Sequence, residues 1–72
     1  MNLAELNIGE TAIIESFTDQ EMSIKLLEMG CLPGQLVHVN NIAPFGDPMA
    51  ITISGYKLSL RKKEAATIIL KS

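Results

Sequence analysis

The sequence predicts a mainly β fold, namely a small, partly closed barrel of about five strands. One short α-helix follows the first strand, and a helical turn lies near the C-terminus. Two segments on either side of Ser54-Gly55 alternate apolar and polar residues with the period of two that a strand requires. The segment 19–29 instead carries apolar residues at helical spacing. Closure is expected because an open five-stranded sheet this apolar would leave exposed edges.

Length and composition fit a single domain that spans residues 1–72. The hydrophobic content of 47% makes a packed core feasible without a metal or a disulfide. The single cysteine, Cys31, excludes an intrachain disulfide and fits a reducing cytosol. The net charge of −2 gives no general attraction to nucleic acid or anionic lipid. Because no apolar run approaches the ~20 residues that span a bilayer, we expect a cytoplasmic protein without membrane insertion.

The first strand is expected at Thr11–Phe17, after turn residues at 9–10, because its isoleucines and phenylalanine favour the pleated conformation. The helix is expected at 19–29. Its start fits a capping box, in which the Thr18 hydroxyl accepts from the Glu21 amide and the Glu21 side chain reaches back. Its apolar face is formed by residues at i, i+4 and i+7, which are Met22, Leu26 and Met29.

A sharp corner is expected to join the helix to the second strand. Gly30 follows the last apolar helical position, where a left-handed residue commonly ends a helix. Pro33 does not continue the helix, and Gly34 supplies the freedom for the turn into a strand at 36–43. On that strand His38 is expected to point outward, because the valines beside it claim the inward face.

Three more strands complete the predicted sheet. A connection at 43–48 contains two prolines and a glycine. The strands at 49–54 and 56–61 alternate clearly. In the second, an apolar row of Tyr56, Leu58 and Leu60 alternates with Lys57, Ser59 and Arg61, which form a basic outer face. A single helical turn at 62–66 and a β-branched closing strand at 67–70 follow.

No residue pattern indicates a catalytic centre, so we expect a protein that is not an enzyme and needs no cofactor. Cys31 and His38 follow neither a paired-cysteine nor a paired-histidine spacing. We interpret Cys31 as a small corner or core residue, since free cysteines are usually buried. The weak candidates for a metal site are Cys31, His38 and Asp47.

Basic residues in the second half of the chain are interpreted as a solvated face with a local ion pair to Glu64. They are Lys57, Arg61, Lys62 and Lys63. Aromatic residues do not interleave with them, so no nucleic-acid partner is expected. Phe45 lies at the expected tip of a hairpin loop, where it is either an exposed binding residue or folded back onto the domain.

Three segments together resemble the FeoA family, small proteins of bacterial ferrous iron uptake. Residues 26–34, Leu-Leu-Glu-Met-Gly-Cys-Leu-Pro-Gly, are similar to the helix-to-strand signature of that family. Residues 43–48, Ala-Pro-Phe-Gly-Asp-Pro, look like its connecting loop, and residues 58–65 followed by Ile68 are similar to its last strand and terminal turn. The matched positions are mainly turn formers with a structural role: Gly30, Pro33, Gly34, Pro44, Gly46, Asp47, Pro48 and Arg61.

The resemblance implies an SH3-like barrel and a cytoplasmic accessory of FeoB, the membrane transporter that carries a GTP-binding domain. On this interpretation the protein docks on the transporter and affects its assembly or its nucleotide cycle. The surface expected to make the contact is apolar and comprises Met22, Met29, Cys31, Leu32 and Phe45. Replacing Phe45 with aspartate is expected to weaken docking while the fold stays intact.

Two other interpretations stay open at this point. The chain could bind a transition metal ion such as Fe²⁺ directly, which a calorimetric titration would detect. It could also be a regulatory domain akin to the barrel of iron-dependent repressors, although it has no room for a DNA-binding helix pair. The oligomeric state, and the choice between assembly and GTP hydrolysis as the point of action, do not follow from the sequence.

Overall fold

Five strands and three short helices form the domain, for which the computed structural model describes residues 1–71. In chain order they are a 3-10 helix at Leu3–Glu5, β1 at Thr11–Phe17, α1 at Gln20–Glu28, β2 at Leu36–Ile42, β3 at Met49–Ile53, β4 at Tyr56–Leu60, α2 at Lys62–Ala65 and β5 at Ile68–Leu70. The predicted elements are confirmed, with bounds that move by one or two residues. Within residues 1–71 no helix combines the length and apolar character needed to cross a bilayer.

The strands form one antiparallel sheet in the order β4-β3-β2-β1-β5. β1 serves two neighbours, since its first half pairs with β2 and its second half pairs with β5. A bulge at Glu15 separates the halves, because the register shifts between Ile14 and Ser16. Inward side chains from all five strands share one buried cluster. The sheet therefore curls around a single core as the predicted, partly closed barrel.

The β3–β4 hairpin follows its sequence pattern closely. Met49, Ile51 and Ile53 are buried on the inner face, as the period of two predicts. Ser54 and Gly55 have φ of 51° and 80°, and a two-residue turn with two positive φ values matches the right-handed twist of the strands. Tyr56 departs from the predicted inward row, because its side chain is 72% exposed at the start of β4.

Helix α1 begins one residue later than the predicted capping box. The N-cap is Asp19, whose carboxylate accepts a hydrogen bond of 2.9 Å from the Met22 amide. The prediction of Thr18 as the cap, paired with Glu21, is wrong. Thr18 lies just past β1, and its amide donates to the carbonyl of Thr67, the residue before β5, at 2.9 Å. The chain is therefore extended for one residue more than local propensity indicates.

The end of α1 is a Schellman motif centred on Gly30. The Gly30 amide donates to the Leu27 carbonyl at 3.0 Å, and the Cys31 amide donates to the Leu26 carbonyl at 2.9 Å. Gly30 has φ of 99°, which confirms the predicted left-handed residue. This motif turns Cys31 inward, so that Cys31 and Leu26 are both fully buried. The Gly34 amide then bonds to the Ile14 carbonyl at 2.8 Å, which fixes the corner to β1.

The N-terminal segment contributes more to the core than the sequence indicates. We expected only a turn before β1, whereas Leu3 begins a 3-10 helix and Leu6 follows its last residue, and the two are 0% and 5% exposed. The Asn2 amide donates to the Glu5 carboxylate at 2.7 Å, and Asn2 bridges to Ile69 beside β5. A helix of only three residues has too short a period to be recognised in the sequence. Its leucines help to fill the barrel beneath β5 and α2.

Candidate functional site

An apolar groove lies where the corner after α1 meets the β3–β4 hairpin. It has a volume of about 430 Å³. We define the apolar groove by five of its lining residues, which are Met29, Leu32, Ile53, Tyr56 and Leu58. Glu28 and Lys57 add one charge of each sign to its lining. A concave apolar surface with a polar edge has the character of a protein-docking site.

Three elements hold the groove in shape. The Schellman end of α1 sets the position of Met29, and the corner that follows carries Leu32, which is 42% exposed. The hairpin supplies the other wall, since Ile53 and Tyr56 are cross-strand partners that flank the turn. The Ser54 hydroxyl donates to the Gln35 side chain at 2.5 Å, so the hairpin turn is tied to the start of β2. The groove therefore rests on packed elements that do not have to fold on binding.

The surface predicted from sequence is divided by the structure. Leu32 and Met29 belong to the apolar groove, whereas Phe45 lies in the β2–β3 loop at the opposite end of β3. Met22 is partly buried against the core. Cys31 requires a correction, because its side chain is 0% exposed and contributes to the core and not to the predicted surface. The sequence analysis did not identify Ile53, Tyr56 and Leu58 as groove residues, because their alternating pattern indicates a strand and carries no sign of a binding role.

Phe45 is exposed, so the loop tip is not folded back onto the domain, and its role in binding stays a prediction. Its side chain is 96% exposed, the highest value among the large hydrophobic residues. The loop beneath it is anchored at two points. The Gly46 amide bonds to the Ala43 carbonyl at 2.7 Å, and the Asp47 carboxylate accepts from the Lys62 amide at 2.9 Å. An anchored loop that displays a bare aromatic ring is suited to contact with another molecule.

Glu64 is a buried carboxylate that forms an ion pair with the exposed Lys25, which the sequence did not reveal. We expected a local pair between Glu64 and the neighbouring basic residues, and this is wrong. Glu64 is only 4% exposed. Its carboxylate accepts a hydrogen bond of 2.6 Å from the Lys25 ammonium on α1 and one of 2.8 Å from the Arg61 amide. The hydrogen bond from Lys25 and then that from Arg61 hold the pKa of Glu64 below its usual value. The pair joins α1 to α2 across the domain surface.

The predicted metal candidates do not come together. Cys31 is in the core, His38 is on the outer face of β2 as expected, and Asp47 is bonded to a backbone amide. The His38 Nδ1 lies 2.8 Å from the Asn40 Oδ1 instead of facing another ligand-type side chain. Among residues 1–71, no three His, Cys, Asp or Glu side chains are grouped to hold a metal ion.

We expect Cys31 to resist thiol reagents in the folded protein and to react fully once the chain is denatured. Burial, and then the nearby negative charge of Glu64, raise the pKa of the Cys31 thiol. Since the thiolate is the nucleophile, both access and reactivity are reduced. Ellman's reagent at neutral pH, with and without guanidinium, measures the difference. Equal labelling rates in the two states would contradict the burial of this side chain.

Comparison with known proteins finds relatives across the chain. A sequence profile described as the FeoA domain matches residues 1–72. A Porphyromonas gingivalis protein, named as a fusion of Fe(2+) transport protein A and the Fe(2+) transporter FeoB, is 38% identical over 69 residues. That match covers 94% of this chain and 8% of the fusion protein, so this chain spans a small part of that relative's length.

Solved structures share the same architecture. The FeoA-like protein of Clostridium acetobutylicum superposes with a TM-score of 0.92 at 32% identity, over 99% of this chain and 84% of that one. The zinc complex of Stenotrophomonas maltophilia FeoA, described as a procaryotic SH3 domain protein, gives 0.85 at 26% identity, over 99% and 89%. The SH3-like fold class is thereby confirmed. A manganese-dependent transcriptional repressor reaches 0.88 at 18% identity, over 100% of this chain and 41% of that one, and this likeness concerns the fold alone.

Proposed function

This chain belongs to the FeoA family, and we propose that it is a non-catalytic accessory of ferrous iron uptake that docks on a FeoB-type membrane transporter. The observation that carries the proposal is the Porphyromonas gingivalis relative, whose name joins Fe(2+) transport protein A and the transporter FeoB in one chain. Two proteins that are fused in one organism commonly act together in another. The proposed place of action is therefore the cytoplasmic face of the membrane, on the transporter.

Three of the residues with reactive or ligand-type side chains are already engaged with their own fold. Cys31 is buried, Asp47 holds the Lys62 amide, and Glu64 is paired with Lys25. What this arrangement offers a partner is surface: the apolar groove, together with the separate loop tip at Phe45. The proposed mechanism is binding, through which the domain affects the assembly or the nucleotide cycle of the transporter.

The apolar groove supports this role by its composition. Leu32 and Tyr56 expose 42% and 72% of their side chains on opposite walls. Filling a groove of this kind with an apolar side chain of a partner removes both surfaces from water, at about 25 cal/mol per Å². Tyrosine is also enriched at the centres of protein interfaces, because its ring is large and rigid and its hydroxyl stays polar.

Docking can be tested with the purified cytoplasmic region of the FeoB-type transporter encoded in the same genome. Binding by biolayer interferometry, combined with ferrous iron uptake in a strain lacking this gene, gives two independent readouts. We expect saturable binding and reduced uptake. Absence of binding together with unchanged uptake would count decisively against the proposal.

Placing a carboxylate in the groove should weaken docking by on the order of 30-fold, the effect of losing roughly 2 kcal/mol at a binding hot spot. Leu32→Asp introduces this charge on an exposed side chain, so the fold should be preserved. Phe45→Asp tests the loop tip in the same way. The matched control is Ile8→Asp, since Ile8 is a 58% exposed apolar residue in a turn outside the groove. If Ile8→Asp weakened docking as much as Leu32→Asp does, the apolar groove would be excluded as the contact.

A further inference from the structure

Four of the six basic residues of this acidic chain gather at one place on its surface. Lys25, Arg61 and Lys63 line one open pocket of about 500 Å³ between α1 and α2. Lys62 lies between Arg61 and Lys63 in the sequence, and its ammonium faces the loop at 43–48, 3.9 Å from where a Cβ on Gly46 would stand. We call these four residues the cationic cluster. The basic face predicted from the sequence comprised residues 57–63. The structure differs from it in two ways, since the cationic cluster includes Lys25 and does not include Lys57.

The carboxylates of the same pocket are already satisfied. Glu64 accepts from Lys25 and from the Arg61 amide, and Asp47 accepts from the Lys62 amide. Lys25–Glu64 is the single ion pair among residues 1–71. The charged groups of Arg61, Lys62 and Lys63 therefore have no carboxylate partner within the described residues. Their field favours a negatively charged ligand, even though the net charge of the chain is −2.

The loop that carries the exposed Phe45 ring adjoins this charge. Phe45 precedes Gly46, and Asp47 holds the same loop against the first residue of α2. A small inorganic anion would use the cations but leave the ring in water. A protein segment can use both, because it places carboxylates and apolar side chains at separate positions. Arginine and aromatic residues are also the types that protein interfaces enrich.

We propose that the cationic cluster, with Phe45 at its edge, binds an acidic segment of a partner protein. The identity of that partner as the FeoB-type transporter rests on the proposed function. Asp47 and Glu64 lie among the cations, so a uniform polyanion such as an RNA backbone or an anionic bilayer meets repulsion there as well as attraction. A peptide avoids this by positioning its carboxylates individually. RNA recognition of single strands also relies on successive aromatic platforms, and Phe45 is one ring.

Charge reversal gives the test. Lys63→Glu should weaken binding of the transporter's cytoplasmic region on the order of fivefold at low salt, and the loss should shrink at high salt as the charges are screened. The matched control is Lys71→Glu, which changes the net charge equally. Lys71 follows β5, and its amide bonds to the Ile13 carbonyl at the end of the barrel where β2 begins, away from the cluster. We expect Lys71→Glu to bind as the natural chain does.

A second arm uses a short peptide of alternating glutamate and leucine as the probe. If the Lys63→Glu variant binds the transporter as tightly as the natural chain does, this inference is overturned and the proposed function stands. Peptide binding that Lys63→Glu weakens, without any transporter binding, supports the inference and removes the proposed partner. Binding of neither overturns both. Binding to phosphatidylglycerol vesicles or single-stranded RNA that exceeds peptide binding and is lost in Lys63→Glu also overturns the inference.

Discussion

Leu26→Ala is expected to lower the free energy of unfolding by about 3 kcal/mol, within the usual 2–5 kcal/mol for removing a buried leucine. Leu26 is the one residue of α1 that is fully buried, and its carbonyl accepts the Cys31 amide that closes the helix. For a domain of this size such a loss lowers Tm by roughly 12–24 °C. The effect is large because a small domain has only a few kcal/mol of net stability.

Leu27→Ala is the matched control for this prediction. Leu27 is the next residue on the same helix and is 39% exposed, so its truncation removes the same atoms without opening a cavity. We expect a loss below about 1 kcal/mol from surface truncation. Urea unfolding of both variants, followed by circular dichroism, gives the comparison. Similar losses for the two would mean that α1 is not held to the barrel through Leu26.

The attachment of α1 also matters for function, because the helix contributes to both proposed contact surfaces. Met29 at its C-terminal end lines the apolar groove, and Lys25 belongs to the cationic cluster. A loosened helix would displace both at once. Core variants that displace α1 should therefore weaken docking and stability together, whereas Leu32→Asp and Lys63→Glu should weaken docking alone.

Local signals made most of the fold predictable. The alternation of Met49, Ile51 and Ile53, followed by Ser54-Gly55, specifies both the strand and the turn of the hairpin, since the turn needs two positive φ values. The corner at 30–34 was predictable for the same reason, because Gly30 occupies a conformation that favours glycine. Where tertiary contacts competed with these signals, prediction failed. The Thr18 amide bonds to the Thr67 carbonyl just beyond the paired ends of β1 and β5, and the helix cap is Asp19.

The candidate site was less predictable because it depends on pairs that are distant in sequence. Leu32 and Met29 were identified as surface candidates, but nothing in the chain indicates that a hairpin more than 20 residues away faces them. The strand period predicted that Tyr56 points inward, but Tyr56 is the first residue of β4 and is 72% exposed. Glu64 reads as a surface residue in Lys-Lys-Glu, and only the fold brings Lys25 to it from 39 residues away.

Lys25→Met is expected to destabilise the protein by about 1–2 kcal/mol at neutral pH. It leaves the Glu64 carboxylate buried with only the Arg61 amide as a partner, and a hydrogen bond to a charged group contributes roughly 1.5–3 kcal/mol. The lower part of that range applies because the Lys25 side chain is 63% exposed and therefore screened by water. The matched control is Lys62→Met, since the Lys62 ammonium makes no ion pair among the described residues. Its effect should stay within about 0.5 kcal/mol.

The pH dependence separates this ion pair from a simple packing effect. Because the folded pKa of Glu64 is lowered, its contribution to stability is present above the pKa of an unfolded glutamate, about 4.3, and is lost as the pH falls through the folded value. The stability gap between the natural chain and Lys25→Met should therefore be widest at neutral pH and close in acid, where Glu64 is protonated in both. Urea unfolding across this range measures the gap. A gap of constant size at every pH would show that Lys25 stabilises the domain through its aliphatic stem and that the charge on Glu64 plays no part.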